Sequence, residues 1–460
     1  MTELPFQLLI KRSFPKNKTE SLTCRSLLRA IPGRRWVYDA LWNGGDVIVK
    51  LFGHKINARR HLKREWRGLN LLQRRGLNSP APLFFGKTED GQGAVVMERI
   101  ADSPTVLDVF NKTKDITEKL DLLILVCKEL AKQHSKGVLQ KDLHLGNFLL
   151  RDDKVFAIDP GQMYFSSGEV GKKKSLSQIA LLAHSLPEQK TKYIAMLCEQ
   201  YLKARSWRFE KSDMALLQKQ LTAHKKRAVR RGLKKSLRTS KRCLKVKADR
   251  YVAMFDKSFC QGAEPLDFIE QIDALMDAGE VLKNGNTCYV SRLTWNSKDI
   301  VVKRYNHKGF IHSLRHTIKR SRARRCWLHG HRLCMLNITT PKPLAYIEKH
   351  KRLLLWNCYL VTEYAPGQKL YDFLRDDSVS KQQRSKTTRQ VAELLEKMGK
   401  YCISHGDLKH TNILITENGP AIIDLDAMTA HKWGRLYKLR RAKDLERFAE
   451  LFNVFTNEES

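Results

Sequence analysis

Asp142 is followed five residues later by Asn147 and 17 residues later by Asp159; Asp407 is followed at the same distances by Asn412 and Asp424. An Asp, an amide and a second Asp can divide the labour of phosphoryl transfer. That reaction asks for positioning and charge neutralisation more than for covalent help. The first Asp can accept or orient the proton of an acceptor hydroxyl, so Asp142 and Asp407 are the candidate catalytic residues. The amide and the second Asp offer hard oxygens suited to magnesium, which makes Asn147, Asp159, Asn412 and Asp424 candidate metal ligands. A lysine closing an apolar β-branched run can grip nucleotide phosphates; Lys50 ends DVIVK and Lys303 ends DIVVK. Glu65, 15 residues beyond Lys50, is placed to hold that lysine.

The repeat extends beyond these residues. Glu98 precedes Asp142 by 44 residues, and Glu363 precedes Asp407 by 44. Both join the candidate nucleotide-binding set. Trp66 and Trp327 each stand 14 residues before a Pro-x-Pro. Six landmarks in one order, several at identical spacing, indicate an internal duplication.

The elements needed to position these residues are legible. Residues 34–52 and 286–305 read as hairpins around NGG and NSK turns. Residues 59–75 and 320–336 read as helices, 92–98 and 353–364 as buried strands, and 116–136 and 380–400 as amphipathic helices. Each half is an α+β arrangement in two lobes with a cleft between them. The expected division is a first domain over 1–202, a basic helical extension over 203–275 and a second domain over 276–460. Trp66 and Trp327 are expected to pack a helix on the smaller sheet. His144 and His410 lie in the Asp loops and could touch a substrate, but like the other histidines they read as structural, bonded to backbone.

With these residues in view, the chain resembles the bacterial lipopolysaccharide core sugar kinases, the Kdo- and heptose-kinase-like group of the protein-kinase-like superfamily. The segments carrying the resemblance are RAIPGRRWVYDALWNGGDVIVKLF and KDLHLGN in the first half, and VVKRYN, SRARRCW, TPKPLAYIE and HGDLKHTNIL in the second. It implies two tandem bilobal protein-kinase-like domains. It also implies a cytoplasmic transfer of phosphate from ATP, with Mg2+, to a heptose or Kdo hydroxyl of the lipopolysaccharide core. The acceptor would be an anionic glycolipid, met at the inner face of the inner membrane. Rival readings stay open: a kinase for another small molecule or for protein, or a pseudokinase scaffold with one or both sites inactive.

Departures from the pattern bear on those rivals. Cys326 stands where Glu65 would be, and no Asp or Glu occurs from Val301 to Ile347. Lys303 is therefore expected to lack an acid partner from a nearby helix, which counts against the second site. The first metal segment reads Asp159-Pro160-Gly161, with a proline fixing the backbone. Neither half has a full G-x-G-x-x-G loop; Gly33 and Gly285 are the substitutes.

Composition narrows the class. The chain of 460 residues carries 85 Lys and Arg against 48 Asp and Glu, a net charge of +37, which points to an anionic partner. Ten scattered cysteines include no CxxC pair, disfavouring a zinc site or a disulfide framework. No basic-then-apolar leader and no long apolar run is present, so membrane contact would be peripheral. Residues 203–250 are dense in Lys and Arg, with Val229, Leu233 and Leu237 at helical spacing. That stripe is expected to pack on the first domain, its basic face turned to solvent or to lipid headgroups. Nucleic acid is disfavoured, because no aromatic residues interleave the charges for base stacking.

Overall fold

β-Branched and aromatic residues flank two tight turns that set the two main hairpins. Strands Arg35–Trp42 and Gly45–Phe52 pair with Trp42 opposite Gly45, and strands Cys288–Trp295 and Lys298–Tyr305 pair with Trp295 opposite Lys298. Both two-residue loops have positive φ at both positions: Asn43 and Gly44 in one, Asn296 and Ser297 in the other. Turns of this hand match the twist of the strands they join. The computed structural model describes residues 3–13, 18–53, 57–187, 191–262, 264–306, 320–351 and 354–457. The chain divides into two compact units, Met1–His224 and Lys225–Ser460.

In the first unit six antiparallel strands close into a barrel. Their order is Phe6–Arg12, Thr19–Ile31, Arg35–Trp42, Gly45–Phe52, Gly93–Glu98 and Pro82–Thr88. The last pairs back onto the first, with Arg12 opposite Gly86. A Cβ at Gly86 would lie 2.2 Å from the Lys11 carbonyl oxygen, so closure needs glycine at that seam. Ile10, Leu22, Val49, Phe84 and Val96 fill the barrel. Helix Ala58–Arg74 packs beside it, with Trp66 against Phe85 at 4.9 Å. The helical part, including Ile116–Ser135, Lys172–Ser185 and Thr191–Ala204, buries Leu123, Val126, Phe148, Ile179 and Leu197.

The second unit carries a seven-stranded antiparallel sheet. Its order is Cys243–Ala248, Tyr251–Asp256, Pro343–Lys351, Leu354–Glu363, Lys298–Tyr305, Cys288–Trp295 and Glu280–Gly285. Helix Arg322–Met335 packs on it through the fully buried Trp327, whose ring meets Tyr346 at 5.7 Å. The indole N–H donates to the Ser236 carbonyl at 3.0 Å. Beyond the sheet lie helices Lys381–Lys400 and Gly434–Asn457. The first of these begins on a capping box between Ser380 and Gln383, satisfying donors that a helix start leaves open.

The repeat landmarks thus fall on the elements expected of them, and both tryptophans pack a helix on a sheet. Two features differ. Residues Phe6–Arg12 and Thr19–Ile31 form two strands of the barrel, where the sequence reading assigned no element. The stripe in the basic segment packs elsewhere than expected: Val229 belongs to the core of the second unit, with Leu333, Val391 and Ile403, and Leu233 packs against it. Part of that segment is helix, Lys211–Lys235, and part is the strand Cys243–Ala248. No helix among the described residues is long and apolar enough to cross a membrane.

Candidate functional site

The Asp and Asn of each unit are joined by one local pattern. Asn147 donates its side-chain N–H to the Asp142 carbonyl at 2.6 Å, and Asn412 donates to the Asp407 carbonyl at 2.8 Å. The Ile158 amide donates to the Asn147 carbonyl at 2.9 Å, and the Ile423 amide to the Asn412 carbonyl at 3.0 Å. Each turn is thereby stitched to the strand end bearing the second Asp. That Asp is left-handed in both cases, with φ of 61° at Asp159 and 56° at Asp424. Aspartate visits this region more readily than most residues, and held strain of this kind clusters at functional sites. Because each amide donates through its nitrogen, its oxygen is left as a hard donor atom beside a carboxylate.

In the first unit Lys50, buried under the sheet, forms ion pairs with Glu65 and with Asp159, the latter at 2.9 Å. Burial opposes its charge, but the two carboxylates outweigh this and hold its pKa above the ordinary value. Glu65 also accepts from the Gly161 amide at 3.2 Å. A second cation, Arg35, reaches the Asp159 carboxylate at 3.2 Å. Burial again opposes charge at Asp159, yet Lys50 and Arg35 drive its pKa well below the usual carboxylate range.

The second unit solves the lysine problem differently. Lys303 pairs with Asp424 at 2.7 Å and with Asp426 at 3.0 Å. No helix acid meets Lys303, as expected, yet the lysine is held in place because its acids come from the loop. Asp426 also accepts from Arg322 at 2.6 Å, the Tyr305 hydroxyl at 2.5 Å and the Cys326 thiol at 2.9 Å. Burial disfavours its charge, but Lys303 and these donors keep its pKa well below the usual carboxylate range. Burial, and then the Asp426 carboxylate, push the Cys326 thiol far up, so it stays protonated and donates.

The two arrangements are complementary at matching positions. Gly161 and Asp426 stand two residues after Asp159 and Asp424, and Glu65 and Cys326 each precede the helix tryptophan. A Cβ at Gly161 would lie 2.6 Å from Glu65 Oε2, so a side chain there would force a shift of the carboxylate that pairs with Lys50 through its other oxygen. With the shorter Cys326 on the helix, the space is taken by Asp426. Sequence reasoning missed Asp426 because it sought the acid on the helix; the available signal was the Asp-Leu-Asp triplet.

The first Asp of each loop is reachable from solvent. Asp142 is 75% exposed, with His144 Nε2 at 4.0 Å; Asp407 is 39% exposed, with Lys409 at 3.1 Å. Backbone anchors fix the approach. The His405 and Gly406 amides donate to Asp444 at 2.7 and 2.9 Å, and the Gln140 amide donates to Gln178 at 3.0 Å. Asp444 and Gln178 come from distant helices, which spacing within the loop could not disclose. His410 lies away from any substrate path: it is buried, its ring meets Phe448 at 4.4 Å, and burial pushes its pKa down to about 4.

A cleft of about 710 Å³ opens in the second unit where the sheet meets the loops. Val290, Val301, Leu360, Leu414 and Ile423 give it apolar walls; Lys303, Asn412, Asp424 and Asp426 give it a charged end. Such a site suits a flat apolar ring with an anionic tail. Glu363 lines its rim, paired with Lys342 at 3.1 Å. Glu98 is exposed and accepts weakly from the Ala81 amide at 3.4 Å. Among the described residues no group of three His, Cys, Asp or Glu side chains could hold a metal by itself. The Asn–Asp pairs instead fit an ion that keeps waters and ligand phosphates in its shell, as magnesium does.

No curated protein is a significant match for the chain. Residues 273–459, within the second unit, match the model of the lipopolysaccharide kinase (Kdo/WaaP) family, so this unit is similar to the kinases of that family.

Proposed function

We propose that the chain is an ATP- and magnesium-dependent phosphotransferase acting on a sugar hydroxyl, heptose or Kdo, of the lipopolysaccharide core, built as two tandem bilobal kinase-like units. The observation that carries the reading is the cleft whose charged end brings Lys303, Asn412 and Asp424 together beneath apolar walls. Support for a lipopolysaccharide acceptor comes from the family match over residues 273–459. Support for the tandem reading is the recurrence of the same Asp–Asn, Asn–Ile and Lys–Asp hydrogen bonds in both units.

Within the second unit, Asp407 takes the acceptor proton as that oxygen forms its bond to the γ-phosphorus and the bond to the departing ADP oxygen breaks. Lys409, paired with Asp407 at 3.1 Å, orients its carboxylate. Lys303 holds the α- and β-phosphates, with Asp426 fixing its amine. The Glu363 strand end contacts the base. Asn412 and Asp424 would hold magnesium, which when bound neutralises phosphate charge. Asp142, Lys50, Glu65, Glu98, Asn147 and Asp159 take the matching roles in the first unit. The reaction fits a cytoplasmic site where ATP is present.

A second reading applies to the first unit. Arg35 and Lys50 both clamp Asp159, an arrangement that supports nucleotide or partner binding without transfer. The test is transfer of labelled γ-phosphate to a lipopolysaccharide-core extract by the parent, Asp142→Asn and Asp407→Asn proteins. Asp407→Asn is expected to lower transfer by about a hundredfold or more. Loss only in Asp142→Asn would place the working site in the first unit. A parent protein that binds ATP but transfers nothing would refute the lipopolysaccharide acceptor.

A further inference from the structure

Three of the most exposed large apolar side chains among the described residues lie at intervals of three: Trp433 at 70%, Leu436 at 58% and Leu439 at 66%. They form one exposed ridge at the start of helix Gly434–Asn457, beside the buried Tyr437 and Asp444. Cations flank the ridge: Lys432, Arg435, Lys438, Arg440 and Lys443 are all exposed. From Lys432 to Leu445 the single acid is Asp444, and it is buried. The exposed residues from Lys432 to Lys443 therefore combine apolar side chains with positive charge alone, and the next exposed acid is Glu446.

We propose that this face docks the second unit on an anionic bilayer surface. Tryptophan favours the headgroup level, leucines reach the acyl boundary, and lysine and arginine pair with lipid phosphates while their stems cover apolar surface. A protein partner would need a groove matched to one narrow ridge and acids at each cation; a bilayer supplies both in any orientation about its normal. The charge pattern selects anionic over neutral lipid.

The docking helix is tied to the site. Asp444 accepts from the His405 and Gly406 amides, and Arg447 donates to the Gly406 carbonyl at 3.3 Å. Lipid binding on one face of the helix thus holds the Asp407 turn close to the membrane plane, where a lipid-anchored acceptor would be presented. The binding itself needs no nucleotide and does not depend on the phosphotransfer reading.

The test is flotation of the full chain with phosphatidylcholine–phosphatidylglycerol vesicles and with pure phosphatidylcholine vesicles. The parent is expected to bind the anionic vesicles and to bind the neutral ones more weakly. The triple variant Trp433→Ser, Leu436→Ser, Leu439→Ser is expected to lose about tenfold or more of that binding. The pair Leu436→Phe, Leu439→Phe is expected to retain it, with unchanged circular dichroism in all. No binding by the parent overturns the proposal. So does triple-serine binding equal to the parent, which would assign attachment to the basic residues 225–250. A change of oligomeric mass in the serine variant without a change in vesicle binding likewise overturns it, in favour of a protein contact.

Discussion

Asp426→Asn tests whether the second unit has moved the lysine-holding acid from helix to loop. The substitution keeps size but removes the charge that faces Lys303 and Arg322 and puts a donor in place of one of two accepting oxygens. Both cations are largely buried, and Asp426 itself is 16% exposed. Removing one partner of a buried, hydrogen-bonded charge network costs about 3 kcal/mol. For a domain of this size that lowers the melting temperature by roughly 6–12 °C. Magnesium-dependent ATP binding, followed by thermal shift, is expected to weaken as well, because Lys303 would then be shared with Asp424 alone. The decisive variant is the exchange Cys326→Glu with Asp426→Gly, which installs the first unit's arrangement. It is expected to restore most of the stability and nucleotide response lost by Asp426→Gly alone. A double-mutant cycle should then show coupling of about 2 kcal/mol or more. Additive effects, or an Asp426→Asn protein with parental melting and ATP response, would refute the reasoning.

Two further outcomes follow from buried groups. His134 is fully buried and burial lowers its pKa to about 3; for His331, burial and the nearby Arg242 lower it to about 4. Between these values and the unfolded value near 6.5, the unfolded chain binds more protons, so stability is full above that value and falls as the pH drops. Each histidine is expected to cost about 1.4 kcal/mol per pH unit in that window, read as a fall in denaturant midpoint between pH 7.5 and pH 5.5. At Gly406, φ is 83° and a Cβ would lie 2.5 Å from the Ala427 carbonyl oxygen. Gly406→Ala is expected to destabilise the second unit by about 2 kcal/mol or more and to abolish transfer that depends on Asp407.

How far the sequence disclosed this molecule depended on the range of each interaction. Trp66, Trp327 and the Asn-turn hairpins were legible because local pattern and repeat spacing both marked them. The Asp–Asn–Asp loops were legible for the same reason, and both lysines do reach the second Asp. The barrel strands Phe6–Arg12 and Thr19–Ile31 were not read, because within the longer one burial alternates only at Glu20, Leu22 and Cys24, and the first of these is a charged residue. Asp444 and Gln178 contact loops 38 or more residues away, and no periodicity reports such a pairing. Asp426 was hidden differently: the role persisted while the position that fills it changed.

That exchange has a consequence for how sequences can travel between the two arrangements. Starting from Glu65 with Gly161, adding an acid at 161 first sets two carboxylates in one space. Losing Glu65 first leaves the lysine with Asp159 alone. Starting from Cys326 with Asp426, the reverse steps meet the same two obstacles. Each single step is therefore harmful although the completed pair is sound, a case of reciprocal sign epistasis. Lineages holding one arrangement should keep it, and a chain that mixes the halves of each should be rare among sequences that fold.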